Sequence, residues 1–244
     1  MSEPLFLVGE LPPGETYTLD GPEGHHAATV ARLRVGERLR LADGRGGTAA
    51  ARVTAVGRGG LTVAVTDRRY AAAPDPRLVV VQGLPKGDRG ELAVQAMTEV
   101  GVDEIVPWAA ARSVTRWRGE RGHRARRKWA ATVREAAKQA RRPWLPTVGG
   151  DPDVDTAGVV SRLGPAAAAF ALHEAATDRL AAAPLPAAGD IVLVVGPEGG
   201  IADAELDAFV AAGATPVRLG AEVLRTSTAG VAALAVLSAR LGRW

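Results

Sequence analysis

The sequence contains no cysteine, which excludes disulfides, thiolate catalysis and Cys-type zinc sites. Its four histidines, His25, His26, His123 and His173, lack metal-ligand spacing, so no metal is expected. No apolar run approaches the roughly 18 residues needed to span a bilayer, and no membrane partner is expected. The opening Met1-Ser2-Glu3-Pro4 lacks the basic-then-apolar pattern of a secretion leader. Two nucleotide signatures are missing as well. There is no G-x-G-x-x-G, and no glycine loop is followed by Lys-Ser/Thr, so phosphate cradling is unsupported. Together these absences point to a soluble cytoplasmic protein without disulfide or metal.

The 244 residues suffice for one large domain, or a small domain plus a medium one. Net charge is only +3, but it is unevenly spread. Between Arg112 and Arg142 stand twelve Lys or Arg against two acids, a local charge of +10, leaving −7 for the remainder. A basic segment in a nearly neutral chain suits a polyanionic partner. A solvated helix face is the plainer explanation, but so few acids interleave the run that RNA contact is favoured.

Residues up to about 70 read as short strands at Leu5–Val8, Arg38–Leu41, Ala51–Val56 and Leu61–Val65, with turns at Asp43-Gly44 and Gly59-Gly60. A helix is expected at His25–Arg34. Short strands with close turns suggest a small barrel. Ala71–Pro76, with two prolines, reads as the linker. Beyond it the pattern changes. Leu78–Leu84 is a nearly unbroken apolar run, as in a strand buried on both faces. Helices follow at Asp88–Val100, closed by Gly101, and at Arg121–Arg142, stopped by Pro143. Further strands are expected at Glu104–Trp108, Ala167–Leu172, Ile191–Val195 and Pro216–Leu219. Further helices are expected at Asp203–Ala212 and Thr228–Leu241. Strands alternating with helices imply an α/β domain with a parallel sheet.

The strongest local signal is Val194-Val195-Gly196-Pro197-Glu198-Gly199-Gly200, between a buried strand and a helix. Ligands of open parallel sheets bind beyond the C-terminal strand ends. Glycines there let the backbone approach a ligand closely. On spacing alone the loop is equally a tight turn. A second loop, Leu219 to Gly230, sets Arg225 just before an apolar helix that Thr226, Ser227 or Thr228 would cap. By pattern, a cap with a surface arginine is the simpler account. Of the tryptophans near the basic stretch (Trp108, Trp117, Trp129, Trp144), Trp129 falls on the apolar helix face and reads as core. Trp117, between Arg116 and Arg118, is placed to stack on an RNA base.

These loops resemble a known family. Gly196-Pro197-Glu198-Gly199-Gly200, then Leu219-Gly220 and Val223-Leu224-Arg225-Thr226, resembles the SPOUT RNA methyltransferases, and more narrowly the RsmE family. Leu84-Pro85-Lys86-Gly87-Asp88, Glu99-Val100-Gly101-Val102, and Gln139 with Arg142 resemble its middle segments. His26, Arg32, Gly36 and Asp43-Gly44 resemble its N-terminal PUA-like domain. The resemblance implies a PUA-like β-barrel domain over 1–72 and a SPOUT α/β domain with a deep trefoil knot over 73–244. It also implies a homodimer with a shared substrate site. The implied activity is S-adenosylmethionine-dependent methylation of N3 of a uridine in 16S rRNA of the small ribosomal subunit.

Leu172, Val195, Gly196, Glu198, Gly199, Gly200, Leu219, Leu224, Arg225, Thr226 and Ala229 would line the donor pocket. Arg142, Arg225 and Glu198 are the catalytic candidates: Glu198 as base or loop orienter, the arginines as stabilisers of an N3 anion. Arg32, Arg112, Arg116, Trp117, Arg124, Arg127, Arg134 and Arg142 are the RNA-contact candidates. Two departures stand out. Ser227 and Lys138 occupy positions where the family usually has Glu, a change expected either to strengthen RNA contact or to vary a surface. The competing readings are a SPOUT enzyme acting on another rRNA or tRNA nucleotide, a non-catalytic RNA-binding protein with a decayed site, and a doubly wound enzyme of small molecules.

Overall fold

The computed structural model describes residues 3–244. Met1 and Ser2, at the head of the stretch read above for a leader, lie outside the described residues. By its contacts the chain forms two compact units. One takes the residues up to Ala73 together with Ala137–Leu145; the other takes Pro74–Ala136 and Pro146–Trp244.

The first unit is built on β1 (Leu5–Leu7), β2 (Thr16–Leu19), α1 (Gly21–His25), β3 (Arg38–Ala42), β4 (Gly47–Gly57) and β5 (Gly60–Tyr70). The sheet order is β1-β3-β4-β5-β2, with β1 and β2 at the edges. Alternation drives burial here. Leu39, Leu41, Ala51, Val53, Leu61 and Val63 point inward around Phe6 and Leu19, and the residues between them face solvent. Register shifts at Ala50/Ala51 and Val53/Ala55 mark bulges in the long β4–β5 hairpin.

The helix expected at His25–Arg34 starts and ends earlier. α1 runs into a π-helical turn, His26–Val30, and Arg32 ends it by taking a φ of +52°. β2 went unread because only Leu19 of its four residues is buried. The stretch 137–145, which the linker alone would leave with the later residues, packs in this unit. Trp144 Nε1 donates to the Ala71 carbonyl at 2.9 Å and its ring meets Tyr70 edge-on. Leu145 packs against Leu5, Leu7 and Ala42.

The second unit carries β6 (Arg77–Gly83), α2 (Arg89–Glu99), β7 (Glu104–Trp108), most of α3 (Gly119–Gln139), β8 (Thr147–Val148), α4 (Thr156–Leu163), β9 (Ala168–Leu172), β10 (Asp190–Val195), α5 (Asp203–Ala211), β11 (Thr215–Val217) and α6 (Thr226–Arg240). The strands form one parallel sheet in the order β11-β9-β10-β6-β7-β8. Both faces are covered. Leu78, Val80, Leu193 and Val195 pack with Met97, Trp129, Val133 and Leu234 on one side. Val79, Val81, Val192 and Val194 pack with Val159, Leu163 and Phe209 on the other. Burial on both faces explains the unbroken apolar runs of β6 and β10. α4 is only eight residues long and escaped periodicity, although Asp155 caps it by accepting from the Gly158 amide at 2.8 Å.

Candidate functional site

β9, β10 and β11 end side by side, and their carboxyl ends open into a cavity of about 430 Å³ within the second unit. Leu172, Val195 and Val217 are the last strand residues on its wall. The loop 196–201 forms one side, the loop 218–225 another, and Thr226 and Ala229 at the start of α6 complete the lining. All eleven residues expected to hold the donor line this cavity: Leu172, Val195, Gly196, Glu198, Gly199, Gly200, Leu219, Leu224, Arg225, Thr226 and Ala229.

The glycine loop is held by packing that leaves no room for side chains. A Cβ on Gly83, at the end of β6, would stand 2.7 Å from the Pro197 backbone nitrogen. Gly200 adopts a φ of +72°, a conformation that costs a side-chain-bearing residue roughly 1–2 kcal/mol. Behind the loop runs a buried polar relay. Gln82 Nε2 donates to Thr226 Oγ1 at 2.9 Å, and Thr226 Oγ1 donates to the Gly196 carbonyl at 2.8 Å. Three elements, the end of β6, the glycine loop and the start of α6, are thereby fixed to one another. Gln82 is fully buried, and nothing in the pattern of its apolar strand marks it out.

Glu198 is an anchor. Its carboxylate accepts from the Lys86 amide at 3.1 Å and from Arg89 Nη1 at 2.9 Å. Desolvation pushes its pKa up. Hydrogen bonds from its own amide, Arg89 and Lys86, with the Arg89 charge, outweigh that and hold the carboxyl below its ordinary value. A carboxylate so stabilised is a weak proton acceptor, which favours the loop-orienting role over the base. Arg225 is exposed on the cavity wall as the N-cap residue of α6. Arg142 belongs to the first unit and is not among the lining residues. His173 lines the cavity and accepts from the Ala175 amide through Nδ1. His26 meets Phe6 edge-on in the first unit's core.

The basic segment divides into two groups. Arg112 donates to the Gly199 and Ile201 carbonyls and lines the cavity. Arg116 donates to Ala110 and Ala111, and Arg126 to Val148 and Gly149. These are loop fasteners. Arg124 and Arg127 are exposed and, among the described residues, have no side-chain partner; Arg134 and Arg32 are exposed as well. Trp129 is core at 4% exposure, and half-buried Trp117 meets it edge-on.

The surface reading of the two departures fails. Ser227 is buried in the first turn of α6. Lys138 is 8% exposed, with its Nζ 3.0 Å from Glu23 Oε2, so its charge is spent inside the protein.

The donor set fits S-adenosylmethionine. Pockets of this size hold small molecules. Leu172, Val195, Leu219 and Ala229 offer apolar contact to a purine, and the glycine loop offers bare backbone to its polar edge. Among the described residues no metal-holding cluster of His, Asp or Glu occurs, and no helix is long and apolar enough to cross a membrane.

Comparison with known proteins agrees with this geometry. A family model described as an RNA methyltransferase domain matches residues 73–238, and one described as an RNA methyltransferase PUA domain matches residues 19–66. Ribosomal RNA small subunit methyltransferase E of Mycobacterium bovis is 47% identical over 98% of this chain and 93% of its own length. The Bacillus subtilis protein of the same name is 27% identical over 91% of this chain and 90% of its own. Among solved structures, a methyltransferase from Legionella pneumophila in complex with SAM superposes with a TM-score of 0.86 at 28% identity, covering 98% of each chain. Ribosomal RNA small subunit methyltransferase E from Neisseria gonorrhoeae, bound to S-adenosyl methionine, gives 0.84 at 26% identity, also covering 98% of each.

Proposed function

The chain belongs to the RNA methyltransferase family whose model spans residues 73–238, and on that premise we propose that it methylates N3 of one uridine in the 16S rRNA of the small ribosomal subunit. The observation that carries the reading is the cavity at the ends of β9, β10 and β11. It gathers every residue expected to hold the donor, and it lies in a chain 47% identical to a small-subunit rRNA methyltransferase.

S-adenosylmethionine, when bound, supplies an electrophilic methyl group on a sulfonium. The protein's part is placement. The glycine loop and the start of α6, locked through Gln82 and Thr226, hold the donor side rigid, and orientation of this kind lowers barriers by up to ~7–11 kcal/mol when complete. Neutral uridine N3 carries a proton and is a poor nucleophile. Arg225, exposed at the cavity, stabilises the N3 anion that remains once the proton has passed to water. Glu198 orients the loop. A second stabilising cation is assigned to Arg142 on the family resemblance, and unchanged turnover in Arg142→Ala removes that assignment. We further propose that β9 to α6 form the trefoil knot of this class, and that two copies associate with the substrate site shared between them. Action on ribosomal RNA places the protein in the cytoplasm.

The test uses purified protein, radiolabelled S-adenosylmethionine and small subunits from cells lacking the activity. Free rRNA is assayed in parallel, and the modified nucleotide is mapped by mass. Label at a single uridine N3 is the expected result. Label on another nucleotide discards the target while keeping the class.

A further inference from the structure

A second cleft, also of about 430 Å³, lies within Pro74–Ala136 and shares no lining residue with the donor cavity. Leu84 and Pro85 wall it on one side, Glu91 of α2 on another, and Trp117 with Arg121 and Lys128 of α3 complete it. We propose that this cleft holds one unpaired nucleotide of the RNA substrate, flanking the nucleotide that is methylated. The proposal rests on the reading of the chain as an RNA methyltransferase.

Position is the first argument. The loop 84–89 separates the cleft from the donor cavity. On one side its Lys86 amide and Arg89 side chain hold Glu198 of the glycine loop. On the other, Thr115 Oγ1 donates to the Pro85 carbonyl at 2.8 Å, closing the cleft wall. The segment from Arg112 to Trp117 does the same, with Arg112 on the cavity and Trp117 on the cleft. A strand of RNA that delivers one base to the cavity therefore has its neighbour within reach of the cleft.

Chemistry is the second. Trp117 meets Trp129 at 5.0 Å with planes 77° apart, and among the described residues no ring stacks parallel to it. Trp108 is sealed in the core and Trp129, although on the cleft wall, is only 4% exposed, whereas half-buried Trp117 offers the cleft its indole. Stacking of a base on an aromatic ring is sequence-tolerant because every base has a π-face. Arg121 is exposed and has no side-chain partner among the described residues, which suits a phosphate. Lys128 stands 2.7 Å from Glu91, so a cation and a hydrogen-bond acceptor for a base N–H lie together.

The platform is also built before any ligand arrives. Arg116 ties the segment down through the Ala110 and Ala111 carbonyls, and Asp153 accepts from the Trp117 amide. At Gly122 a Cβ would press on Pro152 at 2.8 Å and on the Trp117 carbonyl carbon at 2.9 Å. A preformed aromatic surface loses little entropy on binding.

The experiment measures affinity for a single-stranded fragment of small-subunit rRNA by fluorescence anisotropy, across a salt series, and donor affinity by calorimetry. Trp117→Ala is expected to weaken RNA binding by about 5- to 150-fold, the range that one lost stacked base implies. Trp117→Phe is expected to restore most of it. Arg121→Ala is expected to flatten the salt dependence by about one charge. Donor affinity is expected to hold in all three. Wild-type RNA affinity in a folded Trp117→Ala protein overturns the proposal. If that variant does not fold, an unchanged salt slope in Arg121→Ala overturns it instead. Wild-type protein that neither binds the donor nor methylates RNA strikes the parent reading, whereas normal methylation by a Trp117→Ala protein of unchanged RNA affinity removes the cleft alone.

Discussion

At the scale of single residues, the site depends on a few side chains that fasten backbone. Thr226 stands between Gln82 and the Gly196 carbonyl, the first bond buried and the second part-buried at the cavity wall. Thr226→Val keeps the shape and removes both bonds, leaving the Gly196 carbonyl without this donor and Gln82 Nε2 with the Gly83 carbonyl alone. The expected cost is ~1–3 kcal/mol in urea unfolding, with weaker donor binding. Thr226→Ser is expected to retain both properties. Glu198 gives a pH prediction. Its folded-state pKa lies below the ordinary carboxylate value, so the anchor is present above that ordinary value and is lost as pH falls through the folded one. Donor affinity is expected to hold through neutrality and decline only in acid below the usual carboxylate range. Glu198→Gln is expected to lack that acid limb, as a calorimetric pH series will show. Gly196, Gly199 and Gly200 were legible in the sequence because glycines between a strand and a helix need a reason. Gln82 was not, because a buried amide within an apolar strand has no periodicity of its own. Ser227 and Lys138 read as surface changes because side-chain burial at a helix end depends on what packs there.

At the scale of elements, helix ends show where local reading works. α2, α5 and α6 finish on Gly101, Gly213 and Gly242, each at positive φ, with the paired backbone bonds of a Schellman cap. α3 ends the same way with an arginine in the glycine position. Arg141 has a φ of +55°, the Arg142 amide donates to the Ala137 carbonyl, and the Arg141 amide donates to Lys138. Its reading therefore ran on to Arg142, three residues past the true end at Gln139. Arg141→Gly is expected to raise stability by ~1 kcal/mol, because glycine meets no steric penalty there, measured as an upward shift of the urea midpoint. The pair just before this cap acts in the opposite sense. Lys138→Ala leaves the part-buried Glu23 without its lysine, and a loss of up to ~3 kcal/mol is expected in the same assay.

At the scale of the molecule, alternating strands and helices made the parallel sheet legible, and the basic run pointed to a polyanion. The order β11-β9-β10-β6-β7-β8 was not legible, because strand order is set by which crossovers bury the sheet and not by any local pattern. Nor was the return of 137–145 to the first unit, which depends on Trp144 and Leu145 finding partners far away in sequence. The site lay across both categories: its loops were visible as motifs, but only the sheet order brings Leu172, Val195 and Val217 to one opening. The central claim is that this opening binds the methyl donor. Isothermal titration with S-adenosylmethionine tests it most directly, on the wild-type protein and on Ala229→Phe, which fills the cavity floor, with circular dichroism to check the fold. The account predicts saturable binding by the wild-type protein and at least about tenfold weaker binding, roughly 1.4 kcal/mol, by the folded variant. Equal affinity in the two proteins, or no binding by either, would contradict it.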